Sequence, residues 1–339
     1  MGIKAAAPAC IAAALAGFAS PCLAQTNAEP FAGKTIQMVI VVSPGGGYDL
    51  WGRTVIRHIV NHLPGRPAGV PQNMPGAGSM TALNYLYNVA PKDGTAIGIV
   101  ARDVALAPLQ GTEGARFDAT RLSWIGTPAL ETNVCVSWHA ARAKTAADLL
   151  TTEMILGTVG PGSGSHNYPK ALNGLLGMKF KLIPGFPGSA DVFLAMERGE
   201  VEGFCESLDS VVAKRPDWIR SGKINVLFQG GAQRHPDIPD APLIFDLARN
   251  ARERTAIEFL YAGQGIGRPF LAPPDLQPGR LQLLRDAFDA MLKDADFLAE
   301  VKKQGLDLQP QSGAALEALI RRTYATPKDI VERVSALIR

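Results

Sequence analysis

One local unit recurs along the chain: a glycine-rich loop followed directly by a helical pattern, in most copies preceded by an apolar, strand-like run. The first copy, IQMVIVVSPGGGYDLWGR at 36–53, places three consecutive glycines between a continuous apolar stretch and an amphipathic helix. Further copies follow at 72–90, 154–177 and 179–206. Strands that alternate with helices favour an α/β fold with mostly parallel sheets.

The length of the chain allows two domains of ordinary size. It has 339 residues, of which 47% are hydrophobic, which is enough for a substantial core. Helical pattern dominates the C-terminal third. There we expect a Pro-rich segment to lead into one long amphipathic helix, in the stretch RPFLAPPDLQPGRLQLLRDAFDAMLKDADFLAEVKKQG.

The N-terminus, residues 1–24, has the layout of a secretory signal peptide. Lys4 precedes an apolar stretch, and Cys22 and Ala24 fit the −3 and −1 positions of a cleavage site. We therefore expect cleavage after Ala24, and Pro21 argues against a lipid anchor on Cys22. No later segment contains the roughly 20 apolar residues that cross a bilayer, so we expect the mature chain to be exported and soluble.

Charge and cysteine content narrow the classes of function. The net charge is +3, and the chain has no dense basic stripe and no basic run interleaved with aromatic residues, so we expect no nucleic-acid partner. After export only Cys135 and Cys205 remain, without metal-ligand spacing. They form either one disulfide or two buried thiols. Their positions at predicted strand ends and the oxidising compartment favour the disulfide.

The candidate catalytic and cofactor motifs are incomplete. AGKT at 32–35 resembles the end of a P-loop, but Ala28 replaces the required glycine and a strand follows where a helix is needed. GPGSGS at 160–165 does not match the dinucleotide-binding pattern. His58 and His62 have a spacing that can hold zinc, but we expect them on a solvated helix face. The sequence therefore predicts no enzyme, no metal site and no cofactor.

The glycine loops are suited to holding an anion. Loops at 45–47, 76–78, 162–164 and 185–188 each open a predicted helix, whose first amides are unpaired and carry a partial positive charge. Glycine lets a ligand oxygen approach the main chain closely. Tight turns would explain one such loop, but four predict a site for a small carboxylate that needs no basic side chain. His166, at one of these helix starts, either contacts the ligand or caps the helix.

Several short segments occur in an order that is specific as a combination. They are PGGGYD at 44–49, NMPGAG at 73–78, APKDG at 90–94, GSG at 162–164, the turn at 183–188 and the segment at 199–202. With these motifs the chain resembles the periplasmic solute-binding proteins of tripartite tricarboxylate transport systems, the Bug or TctC-like family, over essentially the whole mature sequence.

The resemblance implies an α/β, two-domain periplasmic-binding-protein-like fold with a ligand cleft between the domains. We expect residues 30–130 plus 230–339 to form domain 1 and residues 131–229 to form domain 2, with hinges near Cys135 and Val226. The resemblance also implies capture of a small organic carboxylate and its delivery to membrane transporter subunits. We expect the protein to be a monomer.

The resemblance further implies that main-chain amides from both domains hold the ligand, partly through water. Together with the glycine loops described above, it gives a predicted set of ligand-binding residues. The set is Gly45, Gly46, Gly47, Tyr48, Asp49, Gly76, Ala77, Gly162, Ser163, Gly164, His166, Phe186, Gly188, Ser189 and Glu206.

The sequence departs from the family pattern at the predicted cleft. Tyr48 stands where a small hydroxyl residue is usual, and Gly185-Phe186 replaces a Tyr-Lys-like pair. Together with Trp51, these residues predict an aromatic cleft mouth and therefore a less polar, for example aromatic, carboxylate in place of citrate or an amino acid. The alternative functions are a ligand-presenting sensor subunit for a membrane kinase and an exported carboxylate-processing enzyme.

Overall fold

The structure is a computed structural model that describes residues 1–2, 29–45, 47–161 and 163–338. Most of the predicted signal peptide, its cleavage site and the loop residues Gly46 and Gly162 therefore lie outside the described residues. The strands are β1 (Thr35–Ile40), β2 (Ala68–Asn73), β3 (Ala96–Ile99), β4 (Ser123–Thr127), β5 (Asn133–Trp138), β6 (Met154–Thr158), β7 (Phe180–Pro184), β8 (Gly203–Ser207), β9 (Ile224–Gly230), β10 (Phe270–Ala272) and β11 (Gln311–Ser312).

Helices follow the glycine loops as the sequence predicts. The first of them begins at Gly47, and the second glycine loop leads through the 3-10 turn Ala77–Ser79 into the next. The helices are α1 (Gly47–Ile59), α2 (Met80–Asn88), α3 (Gly164–Leu176), α4 (Ser189–Glu197), α5 (Leu208–Lys214), α6 (Ala251–Ile266), α7 (Arg280–Met291), α8 (Ala295–Gln304), α9 (Gly313–Tyr324) and α10 (Lys328–Ile338). Among the helices of the described residues, none combines the length and apolarity needed to span a bilayer.

The strands form two mixed sheets. The first has the order β11-β4-β10-β3-β1-β2 and the second the order β7-β6-β8-β5-β9. β1 pairs in parallel with β2 and β3, and β6 pairs in parallel with β7 and β8. The expectation of mostly parallel sheets was wrong, because β5 and β10, next to the chain crossings between the sheets, run antiparallel to both of their neighbours.

Helices cover both faces of each sheet, which explains the continuous apolar character of the strands. In β1, Ile36, Met38 and Ile40 pack with α1, α7 and α8, whereas Val39 packs on the opposite face with α2 and α9. The second sheet lies between α3, α10 and part of α6 on one face and α4 and α5 on the other. Each fully buried large apolar side chain contributes roughly 1.5–3 kcal/mol to folding.

The second sheet contains the disulfide that the sequence favoured. Cys135 in β5 lies directly opposite Cys205 in β8, and their sulfur atoms are bonded. Both residues are buried. The bond joins positions 70 residues apart and so restricts the unfolded chain.

Three segments connect the two sheets. Residues 128–132 run from β4 to β5. Helix α6 packs at Ile257 in the core of the second sheet and at Ile266 in that of the first. Residues 325–327 join α9, which packs on the first sheet, to α10, which packs on α3 of the second. The division of the chain at 130 and 230 stays a prediction.

The hinges expected near Cys135 and Val226 stay a prediction: both residues lie within strands, β5 and β9, and the crossing segment 128–132 ends shortly before Cys135. One local expectation differs from the structure. The predicted long C-terminal helix is interrupted, because α7 ends at Met291 and a new helix begins at Ala295. Asp294 accepts hydrogen bonds from the first free amides of this helix, which fixes the break.

Candidate ligand-binding cleft

The topology brings the carboxyl edges of both sheets to the first chain crossing. β4 ends at Thr127, on the same edge as the ends of β1 and β3, because β4 and β3 both run antiparallel to β10. The crossing segment 128–132 then enters β5, whose first residue Asn133 lies opposite Ser207 at the carboxyl end of β8. Loops from both sheets therefore meet beside this segment, where ligands bind in open α/β folds.

A cavity of about 500 Å³ lies beside the crossing and is called the cleft cavity below. On the side of the first sheet it is lined by Gly47 and Trp51 of α1 and by Arg268, which precedes β10. The crossing contributes residues 129–131, and α5 of the second sheet contributes Asp209 and neighbouring apolar residues. The volume is in the range of small-molecule sites, and both halves of the molecule contribute walls.

Asp49 ties the first glycine loop to the second. Its carboxylate accepts hydrogen bonds from the Gly45 amide at 2.9 Å, from Arg53 Nε at 2.9 Å and from Asn73 Nδ2 at 2.8 Å. Asn73 also donates to the carbonyl oxygen of Val42 and so links the ends of β2 and β1. The two loops are held in a fixed relation by these bonds.

The same hydrogen bonds keep Asp49 ionised. Burial alone would raise the pKa of this carboxyl group. The bonds from Arg53, Asn73 and Gly45 outweigh burial, so the pKa lies below its ordinary value. Because both oxygens of Asp49 are engaged inside the protein, this residue shapes the loop.

The guanidinium group of Arg268 lies at the start of α1. Its carbon atom is 4.3 Å from the ring centroid of Tyr48, and a Cβ atom added to Gly47 would lie 3.7 Å from Nη2. The backbone amide of Arg268 donates to the Ala129 carbonyl oxygen and to Thr127 Oγ1, which fixes the turn before β10. A cation stacked on tyrosine in this way gains roughly 0.5–1 kcal/mol at an exposed site and more when desolvated.

The buried carboxylate of Glu131 joins Arg268 to a second arginine. Glu131 Oε1 lies 2.7 Å from Arg268 Nη2, and Oε2 pairs with Nη1 of Arg102. Burial alone would lower the pKa of Arg102, but the charge of Glu131 holds it well above its ordinary value. The side chain of Asp103 is mostly exposed, and its Oδ2 atom lies 3.9 Å from Nε of Arg102. Arg268 is therefore the member of this cluster that presents positive charge to the cleft cavity.

Three acidic side chains line the cleft cavity in addition to Glu131. They are Asp209 of α5, Asp237 and Asp307. Burial raises the pKa of Asp209, and the charges of Asp307 and Glu131 raise it further. His235 also lines the cavity, with Nε2 3.8 Å from Asp307 Oδ2, and its interaction with Asp307 raises the pKa of the imidazole. Asp209, Asp237 and Asp307, which line the same cavity as Arg268 and Glu131, are called the acidic wall below.

The sequence matches the family described as "Tripartite tricarboxylate transporter family receptor" over residues 56–336. The chain belongs to this family. The matched region begins within α1, after the glycine loop at 44–49, and includes the other motifs that carried the resemblance.

Solved structures of similar fold include three proteins with low sequence identity. A TctC solute-binding protein from Polaromonas has a TM-score of 0.70 and 21% identity, covering 88% of this chain and 98% of its own. MatC from Rhodopseudomonas palustris, with bound malate, has a TM-score of 0.56 and 18% identity, and the match covers 88% of this chain and 98% of MatC. R. palustris Rpa4515, with adipate, has a TM-score of 0.57 and 17% identity, and the match covers 88% of this chain and 97% of Rpa4515. The two-domain α/β periplasmic-binding-protein fold is thereby confirmed. No curated protein matches the sequence.

In this receptor, Gly47 is the predicted site residue that lines the cleft cavity. Its loop neighbours Gly45, Tyr48 and Asp49 adjoin it through the contacts described above. Gly76 and Ala77 form the turn before α2, with φ angles of 137° and 44°. The value at Gly76 lies in a region that favours glycine. Asn73 joins this turn to the first loop.

The predicted residues of α3 that the structure describes lie at the carboxyl edge of the second sheet, outside the cleft cavity. Ser163 is the N-cap residue of α3 and donates a hydrogen bond from its hydroxyl group to the Gly160 carbonyl oxygen at 2.6 Å. His166 is buried, with Nδ1 3.1 Å from Thr158 Oγ1. Burial lowers the pKa of His166, so its imidazole is mainly neutral at pH 7.

The remaining predicted residues of the second sheet lie along the same edge. Phe186 packs in the apolar cluster formed by α4 and α5. Gly188 is the N-cap residue of α4, and Ser189 is the first residue of that helix. Glu206 accepts a hydrogen bond from the amide of Ser207. Like those of α3, these residues do not line the cleft cavity.

Sequence reasoning did not identify Arg268, Glu131 or the acidic wall. Arg268 directly follows Gly267 at the end of a helix, but it belongs to no recognised motif and does not open a helix. For Glu131 one signal was available, a charged residue between two apolar strands at the expected domain crossing. The acidic residues come from separate segments, and the fold brings them together.

Proposed function

We propose that this receptor captures a small organic carboxylate in the cleft cavity and delivers it to the membrane subunits of a tripartite transporter. Its family supports this role, and two receptors of similar fold hold malate and adipate. The chain is exported, cleaved after Ala24 and active in the periplasm as a monomer. It releases its ligand unchanged and is not an enzyme.

One observation carries this proposal: Arg268 and Gly47, the first residue of α1, lie side by side in the wall of the cleft cavity. The free amides at the start of this 13-residue helix carry partial positive charge. Arg268 adds a full charge and a planar set of N–H donors that matches a carboxylate. A carboxylate at this point gains both kinds of donor, so a guanidinium group joins the main-chain amides that the sequence analysis proposed.

The acidic wall restricts the rest of the ligand. A second carboxylate directed at Asp209 or Asp307 would be repelled by like charge. The indole of Trp51 instead offers an apolar surface in the same cavity. We therefore favour a ligand with one carboxylate and a less polar, for example aromatic, body.

Calorimetric titration with benzoate, adipate and citrate tests the proposed contact between the ligand carboxylate and Arg268. Arg268→Gln should weaken binding of the preferred acid roughly 10- to 100-fold, because a charge-assisted hydrogen bond contributes about 1.5–3 kcal/mol. Arg220→Gln is the matched control: this exposed side chain pairs with Asp217 away from the cleft cavity, and the variant should bind like the wild type. Wild-type affinity in the folded Arg268→Gln protein would contradict the proposal.

The same titrations test the acidic wall. Asp209→Asn should lower the ratio of benzoate affinity to citrate affinity, since it removes one charge that repels the additional carboxylates of citrate. Asp289→Asn, on the exposed side of α7, should leave the preference unchanged. A citrate affinity above that of benzoate in the wild type would reject the single-carboxylate ligand.

We also propose that residues 30–130 plus 230–339 and residues 131–229 act as two lobes that close over the ligand. Closure supplies the second-sheet contacts, because it moves the helix starts of α3 and α4 towards the first glycine loop. The ligand then holds the lobes together.

A further inference from the structure

A second cavity, of about 370 Å³, lies between α6 and α9 and is called the hinge pocket below. It shares no lining residue with the cleft cavity. Residues 325–327 close one side, and Phe245, from the segment before α6, contributes to the lining. Its volume is within the range of sites that hold small molecules.

The hinge pocket lies among the elements that connect the two sheets. Helix α6 crosses from the second core to the first, and residues 325–327 link α9 on the first sheet to α10 on the second. Because Phe245 and Phe259 pack with the core of the second sheet and Leu319 with that of the first, movement of one sheet relative to the other would change the distances across this pocket. An occupant that contacts both α6 and α9 therefore differs in affinity for the open and closed arrangements, and by linkage it shifts their populations.

The pocket has an aromatic lining. Phe245, Phe259 and Tyr261 contribute to it. Tyr261 stacks on Tyr168 with ring centroids 4.6 Å apart and meets Phe245 edge-on at 6.2 Å. A flat aromatic ring system suits this lining.

The charge of the lining favours an anion. Arg254 pairs with Glu258 at 3.0 Å, whereas Arg322 has neither an ion-pair nor a hydrogen-bond partner for its guanidinium group in the ranges that the structure describes. The adjacent Arg321, by contrast, pairs with Glu317 at 2.9 Å. An unpaired guanidinium group beside aromatic rings can hold an acidic group and stabilise it by charge-assisted hydrogen bonds.

We propose that the hinge pocket is a second binding site, for a small amphiphilic anion with an aromatic body and one acidic group, and that its occupancy shifts the balance between open and closed lobes. The site shares no lining residue with the cleft cavity, and because both occupants bias the same lobe equilibrium, its occupancy changes the affinity of the cleft cavity for carboxylate. Its ligand acts as an effector of the receptor, because it contacts the connecting elements and not the cleft.

Binding of 8-anilinonaphthalene-1-sulfonate, an amphiphilic aromatic anion, tests the site by fluorescence titration of the folded receptor. With excess benzoate present to occupy the cleft cavity, we expect saturable one-to-one binding. Arg322→Gln should weaken it about tenfold, the effect of one lost charge-assisted hydrogen bond. Arg321→Gln, the neighbouring control, should bind like the wild type. Thr255→Trp, which places an indole in the pocket from a half-buried position on α6, should abolish binding.

Equal binding by the wild type, Arg322→Gln and Thr255→Trp proteins would overturn the site. X-ray scattering with the naphthalene sulfonate as the only added ligand measures separately whether the populations of open and closed lobes change. The radius of gyration should change for the wild type and stay constant for Thr255→Trp. Unchanged scattering at saturation would overturn the effector role, and neither result depends on whether the cleft cavity accepts a carboxylate.

Discussion

At the residue scale, Asp49 acts through the loop that it shapes. The sequence placed this acid next to the first glycine loop, and the predicted ligand-binding set included it. In the structure its oxygens accept from the Gly45 amide, Arg53 and Asn73. Asn73 could not be predicted as its partner, because the pairing of β1 with β2 is what brings the two loops together.

Replacing Asp49 by Asn should destabilise the fold by about 2 kcal/mol at pH 7, since Arg53 and the Gly45 amide lose a charged acceptor. The effect depends on pH. The pKa of Asp49 lies below its ordinary value of 3.8, so the carboxylate stabilises the folded state above that pH. This contribution is lost as the pH falls through the lowered pKa.

Urea unfolding of the Asp49→Asn variant and the wild type, at pH 7 and in acid, measures both effects. The difference in unfolding free energy should shrink as the wild-type carboxylate becomes protonated. Asp289→Asn, which removes an exposed charge from α7, should follow the wild type at every pH. A difference that stays constant in acid would contradict the role of the Asp49 charge.

The role of Arg268 could not be predicted from sequence motifs. Glycine loops are visible in a sequence because they need a particular residue type at each position. The position of Arg268 beside Gly47 depends instead on β10 pairing with β3, far apart in the chain. A site built only from main-chain amides was therefore the simplest expectation, and the structure adds a cation to it.

At the element scale, the first residues of the helices could be predicted from the sequence, but the elements that pack against each helix could not. α1, α3 and α4 begin at or directly after their glycine loops. His58 and His62, however, were expected on a solvated face. Instead they pair with Glu300 and Asp294, because α8 and the residue before it pack against this side of α1. A polar helix face that is covered by another polar face gives no signal in the hydrophobic pattern.

The contact between His235 and Asp307 ties the segment after β9 to the loop after α8. Interaction with Asp307 raises the pKa of His235, against the effect of burial, and the charges of Asp237 and Asp209 add to the rise. A pKa raised in the folded state means that this contact stabilises the fold fully below the ordinary value of 6.5. The contribution is lost as the pH rises through the raised pKa.

Asp307→Asn should therefore flatten the decline in stability that accompanies a rise in pH from about 6 to about 8.5. Urea midpoints at several pH values across this range provide the measurement. Asp240→Asn, an exposed acid between β9 and α6, serves as the control and should keep the wild-type slope. The role assigned to the pair fails if Asp307→Asn and the wild type lose stability in parallel.

At the scale of the whole molecule, the alternating strand and helix pattern predicted an α/β fold and the family resemblance implied two domains, but neither gave the full path of the chain between the sheets. Segment 128–132 lies close to the expected hinge at Cys135. The second connection is the helix α6, because its apolar residues are divided between two cores. Apolar residues on several sides of a helix indicate that it is buried. The sequence alone does not indicate that this helix packs against two different sheets.

Closure of the two lobes is the expected response to ligand. The cleft cavity has walls from both halves, so a carboxylate that contacts both stabilises the closed arrangement. X-ray scattering should show a smaller radius of gyration when the preferred acid saturates the wild type. Arg268→Gln at the same acid concentration should stay closer to the unliganded value, and scattering that does not change in the saturated wild type would contradict closure.

The most direct test of the central claim is the crystal structure of the receptor with the acid that co-purifies with the native protein. The carboxylate should lie about 3 Å from the free amides at the start of α1 and from the guanidinium group of Arg268. A carboxylate held elsewhere, with Gly47 and Arg268 out of contact, would contradict the account.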